Sequence, residues 1–188
     1  MLTNGNQKLG KGIWAFGLPT STCMHKTELC NKFCYAKKGS FTAPAPVAYY
    51  KKNYTLSLRS DFVSAILGEI QAYYCRYIRI HPSGDFYSQA YFDKWNTIAA
   101  ASPNTIFLAY TRNYEIDATY ISPNFKLYYS IDDSTLKTNP TIHKFALVTK
   151  ISGVVHMQRY DKYFICQSKC KVCKACFSGK INICFPLR

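Results

Sequence analysis

Arg76-Tyr77-Ile78-Arg79-Ile80-His81-Pro82-Ser83-Gly84-Asp85-Phe86-Tyr87-Ser88 is the stretch on which the fold turns. Polar and apolar residues alternate from Arg76 to Ile80, the period of a strand. Ser83 and Gly84 then permit a sharp turn, and Ser88 is placed to cap a helix with Phe92, Trp95, Ile98 and Ala99 on one face and Pro103 beyond its end. Strand, loop and helix in that order make the front half of a βαβ unit.

The same rhythm extends both ways. Ile13 to Gly17, bounded by glycine and by Pro19, reads as an earlier strand. Two helices are expected over Ala45 to Leu58 and Asp61 to Tyr74, the first with prolines at its start, the second capped by Ser60 with Phe62, Ile66, Ile70 and Tyr73 at helical spacing. Thr105 to Tyr110, Lys126 to Ile131 and Lys144 to Val148 read as further strands. Such alternation predicts an α/β fold with mainly parallel strands and right-handed crossovers. A complete eight-stranded barrel takes about 250 residues, so 188 residues predict an abbreviated, partial or small, TIM-like barrel. The expected organisation is one domain over 1–188, with a barrel-like body over 1–154 and a cysteine-rich C-terminal segment over 155–188 packed on it.

Composition narrows the function. Nearly half the residues are apolar, with 16 Tyr and 12 Phe, which excludes a disordered chain. No run approaches the roughly 18 apolar residues of a membrane span, and Met1 to Lys11 carries no apolar core of a signal peptide. An intracellular protein with no membrane association is expected, and a monomer. The formal charge of +14 points to an anionic partner, either nucleic acid or an anionic small molecule or nucleotide. Nine cysteines, an odd number, in a reducing compartment suggest metal rather than disulfides.

The cysteines fall into two groups. Cys166, Cys170, Cys173 and Cys176 are spaced C-x3-C-x2-C-x2-C, so successive thiolates can converge on one small centre. Overlapping two-residue gaps are the ferredoxin manner of holding a [4Fe-4S] cluster. Structural zinc, the alternative, more often uses paired hooks a dozen or more residues apart. Cys23, Cys30 and Cys34 form the other group, on a loop after the first strand. Three thiolates would leave one iron of a cluster open to substrate, which makes this the expected chemical site. His25 lies among them as a candidate fourth ligand, although a surface position is the commoner fate. Cys75 and Cys184 read as small buried hydrophobes.

The loop His81 to Tyr87 should lie at the carboxyl end of its strand, where α/β proteins gather binding groups. His81 and Asp85 are candidate catalytic residues, joined by Arg112 as an anion binder. Ser83, Gly84 and Tyr87 are candidates for binding a cofactor. Tyr110, Thr111, Asn113, Ser130, Asp132 and Asp133 should share the rim.

Thr22-Cys23, Cys30, Cys34-Tyr35-Ala36, Arg79-Ile80-His81, Ser83 to Ser88, Trp95, Ala109-Tyr110-Thr111-Arg112 and the Cys170, Cys173, Cys176 group together resemble the phage gene product 88 family. Met24 stands where that family often has proline, and Phe177 where a tryptophan is typical. The resemblance implies a viral protein acting in the host cytoplasm and supplies no reaction. A more distant similarity is to radical S-adenosylmethionine barrel enzymes, which hold a cluster with three cysteines after the first strand. It rests on the placement of Cys23, Cys30 and Cys34 and on the Cys34-Tyr35-Ala36 ending. The spacing here is C-x6-C-x3-C, wider than is usual there, and Ser83-Gly84-Asp85 stands where a Gly-Gly-Glu-like segment would be.

The leading expectation is a viral iron–sulfur enzyme with two [4Fe-4S] clusters, one open at the rim and one closed, and S-adenosylmethionine as a candidate cofactor. The rivals are a zinc-stabilised nucleic-acid-binding protein and a pure electron carrier. Thiolate-bound clusters of about two negative charges each would bring the net charge from +14 towards +10.

Overall fold

The structure, a computed structural model, describes residues 1–6, 8–135, 144–149 and 163–187. Its centre is an eight-stranded sheet in the order β1-β2-β3-β4-β5-β6-β8-β7. The strands are β1 (Thr3–Asn4), β2 (Ile13–Phe16), β3 (Tyr77–Ile80), β4 (Ile106–Thr111), β5 (Phe125–Ile131), β6 (Phe145–Thr149), β7 (Tyr163–Ile165) and β8 (Asn182–Pro186). Only the β1–β2 pair is antiparallel among the described pairings. The helices are α1 (Glu28–Lys32), α2 (Pro44–Ser57), α3 (Phe62–Ala72), α4 (Gln89–Ala100) and the single turns α5 (Cys170–Cys173) and α6 (Ala175–Ser178).

The α/β class and the mainly parallel sheet are as expected. The sheet is open, however, with β1 and β7 at its edges, and is not described as a barrel. Chain length supplies the reason. The described β4-to-β5 connection carries no helix, so helical crossovers cover only part of the sheet, and two- and three-residue edge strands leave little to pair.

Each strand sends alternate side chains to opposite faces, as a pleated backbone must. Phe16, Ile78, Ile80, Phe107, Phe125 and Leu127 meet Phe62, Ile66, Phe92, Trp95 and Ile98 of α3 and α4 in one core. Trp95 is fully buried, edge-on to Phe16 at 5.2 Å and to Phe62 at 5.6 Å. The opposite face carries Ile13, Ala15, Leu108, Tyr128, Ala146 and Ile183, and the C-terminal segment covers it through Phe177, Cys166, Cys170 and Cys176. Both faces are therefore buried, which is why β4 reads as a nearly continuous apolar run.

Ser88 caps α4 as expected, accepting a bond from the Tyr91 amide at 3.3 Å. The expected Ser60 cap on α3 is not found. Asp61 takes the cap position without a side-chain cap bond, because its carboxylate is taken by Arg59 at 2.8 and 2.6 Å. Cys75 and Cys184 are buried. Where the C-terminal segment begins, near 155, lies outside the described residues. Among the described residues no helix is long and apolar enough to cross a membrane.

Candidate functional site

The carboxyl ends of β2, β3, β4 and β5 face one way, because those strands run parallel. Thr22 to Tyr35 follows β2, His81 to Tyr87 follows β3, Arg112 and Asn113 follow β4, and Asp132 follows β5. The sequence-selected residues of the body thus gather on one rim.

Asp85 is the hub. Its carboxylate accepts from the Thr111 hydroxyl at 2.7 Å, the Arg112 amide at 2.9 Å and the Phe86 amide at 2.7 Å, and its own amide donates to Thr22 Oγ1 at 3.1 Å. Burial raises its pKa against these bonds. Gly84 makes the turn possible, since its φ is +86° and a Cβ there would meet Leu18 Cβ at 2.5 Å and Thr22 Oγ1 at 2.8 Å. The Ser83 carbonyl accepts from the Leu18 amide at 2.8 Å, while its buried hydroxyl has no partner among the described residues. The β3 loop is therefore clamped beneath the cysteine loop.

Thr27 fixes that cysteine loop from the other side. Its hydroxyl caps α1 by accepting from the Cys30 amide at 3.1 Å and donates to Asp132 Oδ2 at 2.5 Å. Asp132 also lies 2.9 Å from Arg112 Nη1. Burial opposes ionisation of Asp132, but bonds from Ser134 and Thr27 and the Arg112 charge hold its carboxyl below the usual range. A Thr27→Ala protein should lose about 1–2 kcal/mol of stability, typical of a lost cap. Thr27→Ser should recover most of it in denaturant unfolding, and an unchanged midpoint in Thr27→Ala would show the loop is not anchored there.

Cys23, Cys30 and Cys34 are mutual electrostatic neighbours. Burial, with Asp85 and the other two thiols adding, pushes Cys23 up to about 12. Burial also raises Cys30, against Arg112, whose guanidinium lies beside its sulfur. Cys23 and Cys30 are thus protonated at neutral pH unless a metal takes the protons' place. Arg112 is buried and committed to Asp132 and Cys30, so it orients the loop. His25 is exposed, within electrostatic reach of Asp85.

His81 and Tyr87 are placed differently from their neighbours. The His81 ring packs on Phe86 at 4.6 Å, with Nε2 3.0 Å from the Tyr91 hydroxyl, and the residue has φ +56°. Burial, helped by Arg79, lowers its pKa to about 3. A histidine neutral in the fold but protonated when unfolded withdraws stability as pH falls from about 6.5 towards 3. Metal-free His81→Asn should lose part of that acid dependence in thermal melts, and an identical pH profile would contradict a buried neutral ring. Tyr87 bonds to Ser57 Oγ at 2.9 Å and stacks on Tyr91 at 4.5 Å, against the helices.

The C-terminal thiols form a second neighbourhood. Cys170 is influenced by Cys166 and Cys173, and Cys176 by Cys166 and Cys170. Left-handed residues Ser168 and Lys174, at φ +60° and +46°, fold the segment tightly enough for this. The Ser168 amide donates to Cys166 Sγ at 3.4 Å, and Tyr128 donates to the Cys176 carbonyl at 3.2 Å. Arg79 and Lys8 act electrostatically on Cys170. The sequence marks Arg79 only as part of the family resemblance and not as a site residue, although alternation in Tyr77-Ile78-Arg79-Ile80 assigns it to the face opposite the helices.

Among the described residues, no three His, Cys, Asp or Glu side chains converge as ligands of a single ion. A cluster makes a different demand, since each thiolate binds its own iron and the sulfurs stand further apart. All-thiol donor sets, cations beside Cys30 and Cys170, and an amide aimed at Cys166 Sγ fit an anionic thiolate-bound group.

The family model for gene product 88 matches residues 1–162. The chain belongs to the gene product 88 family. Similar relatives are the Gene 88 proteins of Mycobacterium phage L5, 29% identical over 140 residues, and of Mycobacterium phage D29, 29% identical over 136 residues. These alignments cover 65% and 63% of this chain but only 58% and 56% of the two relatives. The whole rim lies within the gene product 88 match, whereas Cys166, Cys170, Cys173 and Cys176 lie beyond its end. No solved structure matches the chain.

Proposed function

We propose that this gene product 88 protein is a viral iron–sulfur enzyme of the host cytoplasm, with Cys23, Cys30 and Cys34 holding an open [4Fe-4S] cluster and Cys166, Cys170, Cys173 and Cys176 a closed one. The observation that carries this reading is the docking of a three-thiol loop on Asp85 and the Arg112–Asp132 pair at the carboxyl ends of parallel strands. A cluster held by these three thiolates, one on each of three irons, would leave its fourth iron without a protein ligand and would supply Lewis-acid or redox chemistry there.

The protein's own groups have separate tasks. Thr27, Arg112 and Asp132 fix the loop, and Arg112 lends positive charge to Cys30. Asp85, beside Cys23, would hold or receive a proton of a substrate bound at this loop. Ser83 and Gly84 shape the floor under the loop, while His81 and Tyr87 support that floor from the core. The positive balance of the chain favours an anionic substrate. A zinc-stabilised nucleic-acid-binding protein is the less favoured reading, since one zinc ion needs four ligands converging at about 2.3 Å from sulfur and no three described side chains converge in that way.

Anaerobic spectroscopy tests the open position. Cyanide or S-adenosylmethionine should perturb the electron paramagnetic resonance of the reduced protein, and should still do so in Cys173→Ala. Iron signals indifferent to both ligands would reduce the protein to an electron carrier.

A further inference from the structure

The end of the sheet away from the rim is basic. Across the parallel strands, Lys11 precedes β2, Arg76 precedes β3, Lys126 is the second residue of β5, Lys144 precedes β6 and Lys180 stands just before β8. Because these strands run parallel, their first residues share one end. Neighbouring strands lie about 4.8 Å apart, so the five steps from β2 to β8 set these cations in a row about 24 Å long.

The C-terminal segment adds to the row. Lys174, at the start of α6, lies over the Tyr77 ring at 4.8 Å, and Arg76 over the same ring at 5.7 Å. Tyr77 packs edge-on to the buried Phe177 at 5.2 Å, which pins α6 there. At the other end of α6, a Cβ on Gly179 would meet Lys126 Cδ at 2.7 Å and Lys144 Nζ at 3.3 Å, so lysines from two adjacent strands converge on that glycine. Lys171 lies along Gly10, its Cβ 2.6 Å from where one on Gly10 would stand.

None of these cations has a carboxylate at ion-pair distance among the described residues, where the pairs are Met1–Glu69, Arg59–Asp61 and Arg112–Asp132. Glu69, on the helix leading into β3, is taken by the Met1 amine and the Leu2 amide. After Asp133 the sequence holds one acidic residue, Asp161, which lies outside the described residues. A closed cluster on the C-terminal thiols would carry about two negative charges, too few to balance the row. Lys11, Arg76, Lys126 and Lys144, moreover, come from outside the cysteine segment.

Aromatic rings flank the row at its β2–β3 end. Trp14 stacks on Tyr73 at 4.7 Å with the ring planes 8° apart, and Tyr74, at φ +50°, is 91% exposed. Both tyrosines follow α3 and stand just ahead of Arg76. Uncompensated cations beside exposed rings supply the two parts of a single-strand site, charge for phosphates and flat faces for unpaired bases. A duplex would use the charge and leave the rings without a partner.

We propose that this amino-end face binds single-stranded nucleic acid, its backbone following the row of cations and a base stacking on Tyr74. The face lies across the sheet from the rim and needs no metal at the cysteines, so it is independent of the iron–sulfur reading.

Fluorescence anisotropy of a labelled oligothymidylate with the whole chain, purified anaerobically, tests this. Affinity should fall with salt, log K dropping by about 0.7 per unit of log salt for each phosphate engaged. Lys126→Gln/Lys144→Gln should flatten that slope by about 1.4, and Lys126→Arg/Lys144→Arg should keep it. Tyr74→Asn, which suits the left-handed backbone, should weaken binding about tenfold. Lys51→Gln/Lys52→Gln, an equal loss of charge at exposed positions of α2, should leave binding unchanged. Equal losses from the two glutamine pairs would reduce the binding to net charge and overturn the site, as would no binding at low salt. A duplex of the same oligothymidylate bound as tightly as the single strand, with Tyr74→Asn without effect, would overturn the single-strand assignment.

Discussion

A Cys34→Ala protein should retain about half the iron of the parent, and a Cys173→Ala protein the complementary half. These two positions are chosen because neither supports the core, Cys34 being half-buried and Cys173 exposed. Their groups are also anchored independently. Thr27, Asp132 and the Pro82 carbonyl tie down the rim loop, whereas pairing of β8 with β6 and the Tyr128 bond to Cys176 tie down the C-terminal segment. Losing one centre therefore should not unfold the seat of the other. The spectra of the two variants should sum to that of the parent. Loss of all iron in both, with circular dichroism unchanged, would instead mean a single shared centre.

Asp85→Ala should be the most damaging single change on the rim, costing about 3 kcal/mol or more. Removing the carboxylate orphans the Thr111 hydroxyl and the Arg112 and Phe86 amides, all in buried surroundings. Each unsatisfied buried donor costs about 1 kcal/mol at least. The opposing effect is the burial that raises the pKa of Asp85, so its removal also relieves a desolvated charge. Three donors outweigh one charge that they already solvate. Asp85→Asn keeps an acceptor and should lose less than half as much. Denaturant unfolding of the metal-free protein measures both, and a cost below about 1 kcal/mol for alanine would remove Asp85 from the centre of the rim.

The rim was legible because strand direction follows from alternation. Once Arg76 to Ile80 is a strand and crossovers are right-handed, residues after β3, β4 and β5 must share one end. The direction of each side chain past that end was not legible. The period of two stops at Ile80, and His81 enters a left-handed conformation that turns its ring into the aromatic core beside Asp85's polar shell. The chain ends were equally hidden, since β7 and β8 have three and five residues and no periodicity to declare them. Their pairing beside β6 is what folds Cys166 to Cys176 over the sheet face opposite the helices. Arg79 could have been found, as a lone cation in mid-strand on that same face.

The central claim is that both cysteine groups hold iron, and the iron and acid-labile sulfide content of anaerobically purified protein tests it most directly. Two four-iron clusters require about eight irons and eight sulfides per chain. Colourless protein with stoichiometric zinc and neither iron nor sulfide would contradict the account.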